Sequence, residues 1–312
     1  MEPKKTTLAP KEHGSAPVRT GELPILEHIL MVNDLDRCET YCEAMHETIR
    51  PGDVVLEVGT GAGLLSCLAV RLGARHVYTV ERSPVLYEVA KKVFAANGVS
   101  DKITLVNASS EDLHALKVIK EPIDVFVTET IGTLGLNEGI VGIFEHVKPL
   151  LSPDARVIPK NVKFKLCLVN LSGIRERFEV VEPIVGVDLS ALNQELSSNL
   201  FFWLHPIETW REVSSTSETR TYDLRNFSPE ESHQEMMIIK DNVCDGILAW
   251  AEFGLTDGIS IDTRYRNLGN SWANALFFMK RMTVGYRSLC TSQFRISDNR
   301  LGWTLNWTIA PQ

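Results

Sequence analysis

The chain has 312 residues, 44% of them hydrophobic and 23% charged, and a formal net charge of −8 at pH 7. That length suits two domains, or one with a large insertion, with apolar side chains enough to bury both cores. No Lys/Arg cluster is interleaved with aromatics, which disfavours a nucleic-acid partner; the acidic balance mildly favours a cationic substrate, and no apolar run reaches membrane-span length.

Residues 1–22 are rich in Lys, Pro, Thr and Gly, show no apolar periodicity, and read as a flexible N-terminal tail without a signal-peptide pattern. From Glu27 to Ile49 the positions Ile29, Leu30, Leu35, Tyr41, Ala44 and Met45 predict helix. A break falls near Asn33-Asp34, where either residue is able to cap the second piece. Val54 to Val58 reads as a buried strand, Ala62 to Leu72 as helix, His76 to Val80 as strand and Pro84 to about Ala96 as helix. Ile103 to Val106 and Ile123 to Val127 are two further strands, and a helix is expected from Asn137 to Leu151. This alternation predicts an α/β half with a parallel sheet and helices on both faces.

Pro153-Asp154-Ala155-Arg156 marks a change of pattern. Short β-prone segments follow at Val162 to Val169, Tyr222 to Leu224, Met236 to Ile239, Ile247 to Phe253, Ala275 to Met279 and Trp303 to Ile309. Polar and Gly-containing turns separate them, as in an antiparallel sandwich or barrel. Asp188 to Trp203 interrupts the series with a helical excursion. The six cysteines (Cys38, Cys42, Cys67, Cys167, Cys244, Cys290) form no CxxC and have no His at metal spacing. They read as free thiols in a reducing cytoplasm, with no metal site expected.

Two motifs carry chemistry. Glu57-Val58-Gly59-Thr60-Gly61-Ala62-Gly63 follows a strand and opens a helix, which puts backbone N–H groups at a ligand. Gly59, Gly61 and Gly63 permit close approach and positive φ. The spacing is GxGxG and not the dinucleotide GxGxxG. Glu57 would repel a pyrophosphate but suits the amino group of S-adenosylmethionine. Glu81 closes the next strand, where a carboxylate can accept both ribose hydroxyls, and Ser110-Glu111 could meet the adenine. A glycine turn without any ligand remains the plain alternative, and an NAD enzyme the other cofactor reading.

Glu129 and Glu138, nine positions apart, bracket the uncharged loop from Thr130 to Asn137 just beyond a strand end. Read plainly, they are two solvated acids, with Glu138 in the first turn of a helix. Read functionally, the loop folds back and both carboxylates grip one planar guanidinium.

With these residues in place the chain resembles the protein arginine methyltransferases along nearly all its length after the tail. His28 to Arg37 looks like their opening helix motif, Val55 to Gly63 their cofactor motif, and Glu129 through Glu138 their double-glutamate loop. Val187-Asp188-Leu189-Ser190 resembles the start of their dimerisation arm, and Asn270-Ser271-Trp272 stands where they have Thr-His-Trp. The resemblance implies a Rossmann-like class I methyltransferase sheet over 23–155, then an antiparallel β-barrel over 156–312 with a helical dimerisation arm near 186–205, assembled as a homodimer. It implies that Arg37 binds the carboxylate of S-adenosylmethionine and that Met31, Ser271 and Trp272 line the arginine channel. His28 is either a cofactor contact or a helix residue packed beneath Arg37.

Three departures leave the acceptor and the product open. The aromatic Tyr-Phe-x-x-Tyr helix is missing, since Arg19 to Leu26 holds no aromatic; the family's His is Ser271; and Ile140 replaces a second Met. Three functions therefore stand: methyl transfer to arginine, free or in a peptide; methyl transfer to another amine or hydroxyl metabolite; or a non-catalytic cofactor-binding dimeric scaffold.

Overall fold

The structure is a computed structural model and describes residues 6–8, 25–193, 200–203, 210–240, 242–264, 271–296 and 303–309. Strand β1 (Thr6–Leu8) precedes two helices, α1 (Ile25–Asn33) and α2 (Leu35–Thr48). Asp34 separates the helices and caps α2, its Oδ1 accepting the Arg37 N–H at 3.3 Å. Helix α2 buries Tyr41, Ala44 and Met45, whereas α1 buries no side chain.

Then follow β2 (Val54–Val58), α3 (Leu64–Arg71), β3 (His76–Val80), α4 (Pro84–Ala96), β4 (Ile103–Val106), α5 (Leu113–Leu116), β5 (Ile123–Thr128), α6 (Ile140–Val147) and β6 (Leu151–Ile158). The five strands form a parallel sheet in the order β4-β3-β2-β5-β6. Strand β2 is buried along its whole length, which is why its sequence is nearly uninterrupted Val and Leu. Helix α4 starts with Pro84 and is capped by the Ser83 hydroxyl, a pairing that needs no donor from the proline.

Strand order reverses between β2 and β5, and such a reversal opens a crevice at the carboxyl ends of the strands. Val58 is in register with Thr128, and the Thr128 hydroxyl donates to the Val58 carbonyl at 2.8 Å. The glycine loop and Glu129 therefore leave the sheet side by side.

The helix expected from Asn137 to Leu151 is shorter. Gly139, in the left-handed region at φ 83°, precedes Ile140, and α6 ends at Val147. A 3-10 turn over Lys148–Leu150 follows, because Pro149 has no N–H with which to continue the α-helix. Glu138 thus sits in a turn ahead of the helix, not within its first turn. Pro153 to Arg156, where the sequence pattern changes, lies inside β6.

The second half comprises β7 (Asn161–Asn170), α7 (Ser172–Arg175), β8 (Leu200–Trp203), β9 (Arg211–Glu212), β10 (Ser217–Glu218), β11 (Tyr222–Asp223), β12 (Ser232–Met237), β13 (Asn242–Gly254), β14 (Ser260–Asp262), β15 (Asn274–Val284), β16 (Leu289–Ile296) and β17 (Trp303–Ile309). An eight-stranded antiparallel sheet runs β10-β7-β13-β15-β8, with β9 and β11 on β7 and β14 on β13. A four-stranded sheet runs β1-β17-β16-β12. Phe164 of β7 stacks on Phe294 of β16 at 4.9 Å, so the two sheets curl face to face as a half-barrel.

Three expectations change here. Thr6–Leu8, inside the segment read as a flexible tail, pairs antiparallel with β17 and covers its open edge; residues 1–5 and 9–22 lie outside the described ones. The excursion from Asp188 to Trp203 shows one 3-10 turn at Ser190–Leu192 and then strand β8 on β15, with 194–199 outside the described residues. Strand β16 was missed and β12 misplaced, because Ser232, Gln234 and Ser292 occupy buried positions and hide the apolar alternation.

Candidate active site

One cluster of the expected site residues is built around the glycine loop. Gly59, Gly61 and Gly63 all have positive φ, at 83°, 53° and 93°. A Cβ on Gly63 would lie 2.6 Å from the Phe94 ring, so close helix packing as well as conformation requires glycine there. Glu57 is buried beneath the loop. Its Oε2 takes the Ser66 hydroxyl in a short contact and the Thr79 hydroxyl at 3.0 Å. Burial pushes its carboxyl up to about 8, against the pull of those two hydroxyls.

Glu81, also buried, is anchored through both oxygens: Oε2 accepts the Gly61 N–H and Oε1 the Ser83 N–H, each at 2.8 Å. Each oxygen keeps a second lone pair for a ligand hydroxyl. The His28 ring from α1 lies over the loop, its Nδ1 3.9 Å from the place of a Gly61 Cβ. Burial lowers the His28 pKa, with the charge of Glu81 opposing. The two acidic side chains at the loop suit a ligand carrying vicinal hydroxyls for Glu81 and an ammonium whose charge would draw the Glu57 proton off. S-adenosylmethionine fits those residues. Ser110 bonds His146 of α6 at 2.9 Å, a partner the sequence reading did not name, while Glu111 beside it is exposed.

A second cluster gathers on Arg37. Its Nη2 forms an ion pair with Glu129 Oε2, and its Nη1 donates to the Ser271 hydroxyl at 2.8 Å. Its guanidinium carbon lies 4.9 Å from the Trp272 ring centre, and Nη2 lies 3.7 Å from the Met31 sulfur. Burial draws the Arg37 pKa down, while the charges of Tyr41, Asp34 and Glu138 draw it up. Ser271 is held in turn by Asp34, whose Oδ2 accepts its N–H at 2.8 Å and its hydroxyl at 3.0 Å. Five expected site residues (Arg37, Glu129, Met31, Ser271 and Trp272) thus meet within one cluster, with Glu138 close enough for its charge to act on Arg37.

The loop between the glutamates is not a surface loop. Ile131, Leu134 and Leu136 are buried, and the Asn137 side chain accepts the Leu134 N–H at 3.1 Å. A Cβ on Gly135 would sit 2.9 Å from Ala251, so the half-barrel packs directly on the loop. Trp272 Nε1 donates to the Ile131 carbonyl at 2.9 Å, and the Thr263 hydroxyl to the Thr133 carbonyl at 2.7 Å. Thr263, Thr79 and Ser66 escape sequence reasoning because each acts through a hydroxyl on another element and forms no local pattern.

Comparison with known proteins agrees with this geometry. The family model described as ribosomal protein L11 methyltransferase (PrmA) matches residues 38–160. An arginine N(omega)-methyltransferase of Streptomyces achromogenes subsp. streptozoticus is 29% identical over 252 residues, covering 78% of this chain and 68% of that protein. Protein arginine N-methyltransferase 7 of Mus musculus is 28% identical over 250 residues, 74% of this chain but 36% of that protein. The chain therefore spans about two thirds of the bacterial relative and about a third of the mouse one. The solved Trypanosoma brucei PRMT1 enzyme-prozyme heterotetrameric complex with AdoHcy superposes with a TM-score of 0.79 at 20% identity, over 91% of this chain and 93% of that one. Over about three quarters of its length the chain is similar to arginine N-methyltransferases.

Proposed function

We propose that this protein transfers a methyl group from S-adenosylmethionine to a guanidino nitrogen of arginine, with free L-arginine favoured over arginine in a peptide. One observation carries the reading. The site already handles a guanidinium, pairing Arg37 with Glu129 under Trp272, and Glu129 Oε1 is buried with no hydrogen-bond partner. A buried carboxylate oxygen without a donor is costly, and an incoming N–H would satisfy it.

The glycine loop, Glu57, Glu81 and Arg37 would hold the donor. S-adenosylmethionine supplies there a methyl carbon made electrophilic by its sulfonium. Glu129 and Glu138 do the rest of the work on the acceptor. A guanidinium is a poor nucleophile because its lone pairs are delocalised and its pKa is about 12.5–13.8. Carboxylates on two of its nitrogens draw positive charge toward them, leave the third richer in electron density, and fix its aim. As that nitrogen gains its methyl it sheds a proton, and Glu138, which is exposed, passes it to water.

The free amino acid is favoured on two grounds. The bacterial relative is named for arginine and not for protein arginine. The stretch Arg19 to Leu26 also holds none of the aromatics of the family pattern. A second copy of the chain is the proposed partner. Val181, Ile184 and Val187 near the arm are exposed, as are Ile25, Leu26, Ile29 and Leu30 on α1, and two such apolar faces suit the head-to-tail contact that the resemblance implies. Six free cysteines suit a reducing, cytoplasmic location.

The test offers labelled S-adenosylmethionine with free arginine, an arginine-rich peptide and a panel of other amines, and reads each product by intact mass. Label on arginine alone supports the reading; label confined to a non-guanidino amine overturns it.

A further inference from the structure

The family resemblance gives Arg37 one task, binding the donor carboxylate. The structure loads its guanidinium with others. Nη2 is committed to Glu129 Oε2, Nη1 to the Ser271 hydroxyl, and the face of the fork to Trp272. The Ser271 hydroxyl accepts from Arg37 while donating to Asp34, so the fork is held from behind as well. Only one oxygen of Glu129 is engaged by the cation; Oε1 stays buried and unpartnered.

We propose that Arg37 is also a positioning residue for the acceptor. It pins Glu129 through Oε2 and thereby presents Oε1 to the incoming guanidinium. The inference rests on arginine being the acceptor and extends that reading to a residue otherwise counted on the donor side alone.

Charge argues for this role over one in which Arg37 merely fills the acceptor's place. Asp34, Glu129 and Glu138 bring three carboxylates to the cluster, and Arg37 is the guanidinium they share. Two negative charges remain for a second guanidinium and for the positive donor. Geometry argues for arginine at position 37. A planar fork can hold Ser271, Glu129 and a donor carboxylate on separate N–H groups, whereas an ammonium is a point charge that cannot span them.

The experiment titrates S-adenosylhomocysteine into wild type, Arg37→Lys, Glu129→Gln and the double variant, then titrates arginine into each at saturating S-adenosylhomocysteine. Binding of S-adenosylhomocysteine verifies that each variant is folded. Arg37→Lys is expected to weaken arginine binding at least about tenfold with the donor site full, and the double variant to be no weaker than Glu129→Gln alone, because the effect passes through Glu129. Unchanged arginine affinity in Arg37→Lys, or losses that simply add, would overturn the proposal while leaving the reaction intact. So would an Arg37→Ala enzyme that binds arginine more tightly than wild type without any donor, since Arg37 would then be occupying the acceptor's place. A wild type that binds S-adenosylhomocysteine and takes up no guanidine would overturn the proposed reaction itself and this role with it.

Discussion

Glu129 and Arg37 meet through a single carboxylate oxygen, Oε2, and leave Oε1 buried beside the cation with nothing donating to it. The pair forms where β2 and β5 end side by side, so the glycine loop and Glu129 are set by the same strand register. If the two glutamates act on the acceptor, each is needed for turnover and neither for donor binding. Glu129→Gln and Glu138→Gln should each lower kcat by about 10²–10³, the range for removing one aligned electrostatic contact. Calorimetry should show S-adenosylhomocysteine affinity within a few-fold of wild type. A parallel collapse of donor affinity would place these residues on the wrong side of the site.

Glu57 gives a pH dependence. Its folded-state value of about 8 lies above the ordinary 4.5. Between those values the folded chain binds the extra proton, so the stability this group contributes is complete below the lower value and is lost as pH rises to the upper one. The ammonium of a bound donor favours the ionised form, so S-adenosylhomocysteine affinity should increase from roughly pH 6 to pH 8. Glu57→Gln should flatten both profiles, as followed by thermal melts and calorimetry across pH. An unaltered affinity profile in that variant would remove Glu57 from the donor site.

Thr263 ties the half-barrel to the glutamate loop. It accepts the Ala251 N–H at 3.0 Å and donates to the Thr133 carbonyl at 2.7 Å, fully buried. Thr263→Val keeps the shape but strands both groups, at a cost of about 1–3 kcal/mol, and should lower kcat through a loosened loop. Thr263→Ser retains the hydroxyl and should recover most of the turnover. Denaturant melts and steady-state kinetics on the pair separate this from loss of the methyl group.

The exposed apolar face of α1 is expected to meet the arm of a second copy. Leu30→Glu, at a position 63% exposed, should leave the protomer folded yet shift its sedimentation toward monomer. Unchanged association would exclude this face from the contact.

Much of this was legible in the sequence because periodicity and motif coincide in the first half. Val54 to Val58 is buried on both faces and feeds directly into the glycines, so pattern and chemistry point the same way. The cap expected at Asn33 or Asp34 falls on Asp34, and Trp303 to Ile309 is a strand as its pattern predicts. The second half was harder. Strand β16 buries Ser292 next to apolar neighbours, and the hydrogen bond from Ser292 to Gln234 that satisfies it is 58 residues distant in sequence. The end of the glutamate loop depended on Gly139 adopting a left-handed conformation, which the preceding residues do not announce. The double role of Arg37 was invisible because its partners, Glu129 and Ser271, come from a different strand end and from the other half of the chain.

The most direct measurement is fragment mass spectrometry of free arginine after incubation with S-adenosylmethionine and the enzyme, beside a Glu129→Gln control. The account predicts a methyl on a guanidino nitrogen, lost in the variant. A methyl on the α-amino group, or equal product from both proteins, would contradict it.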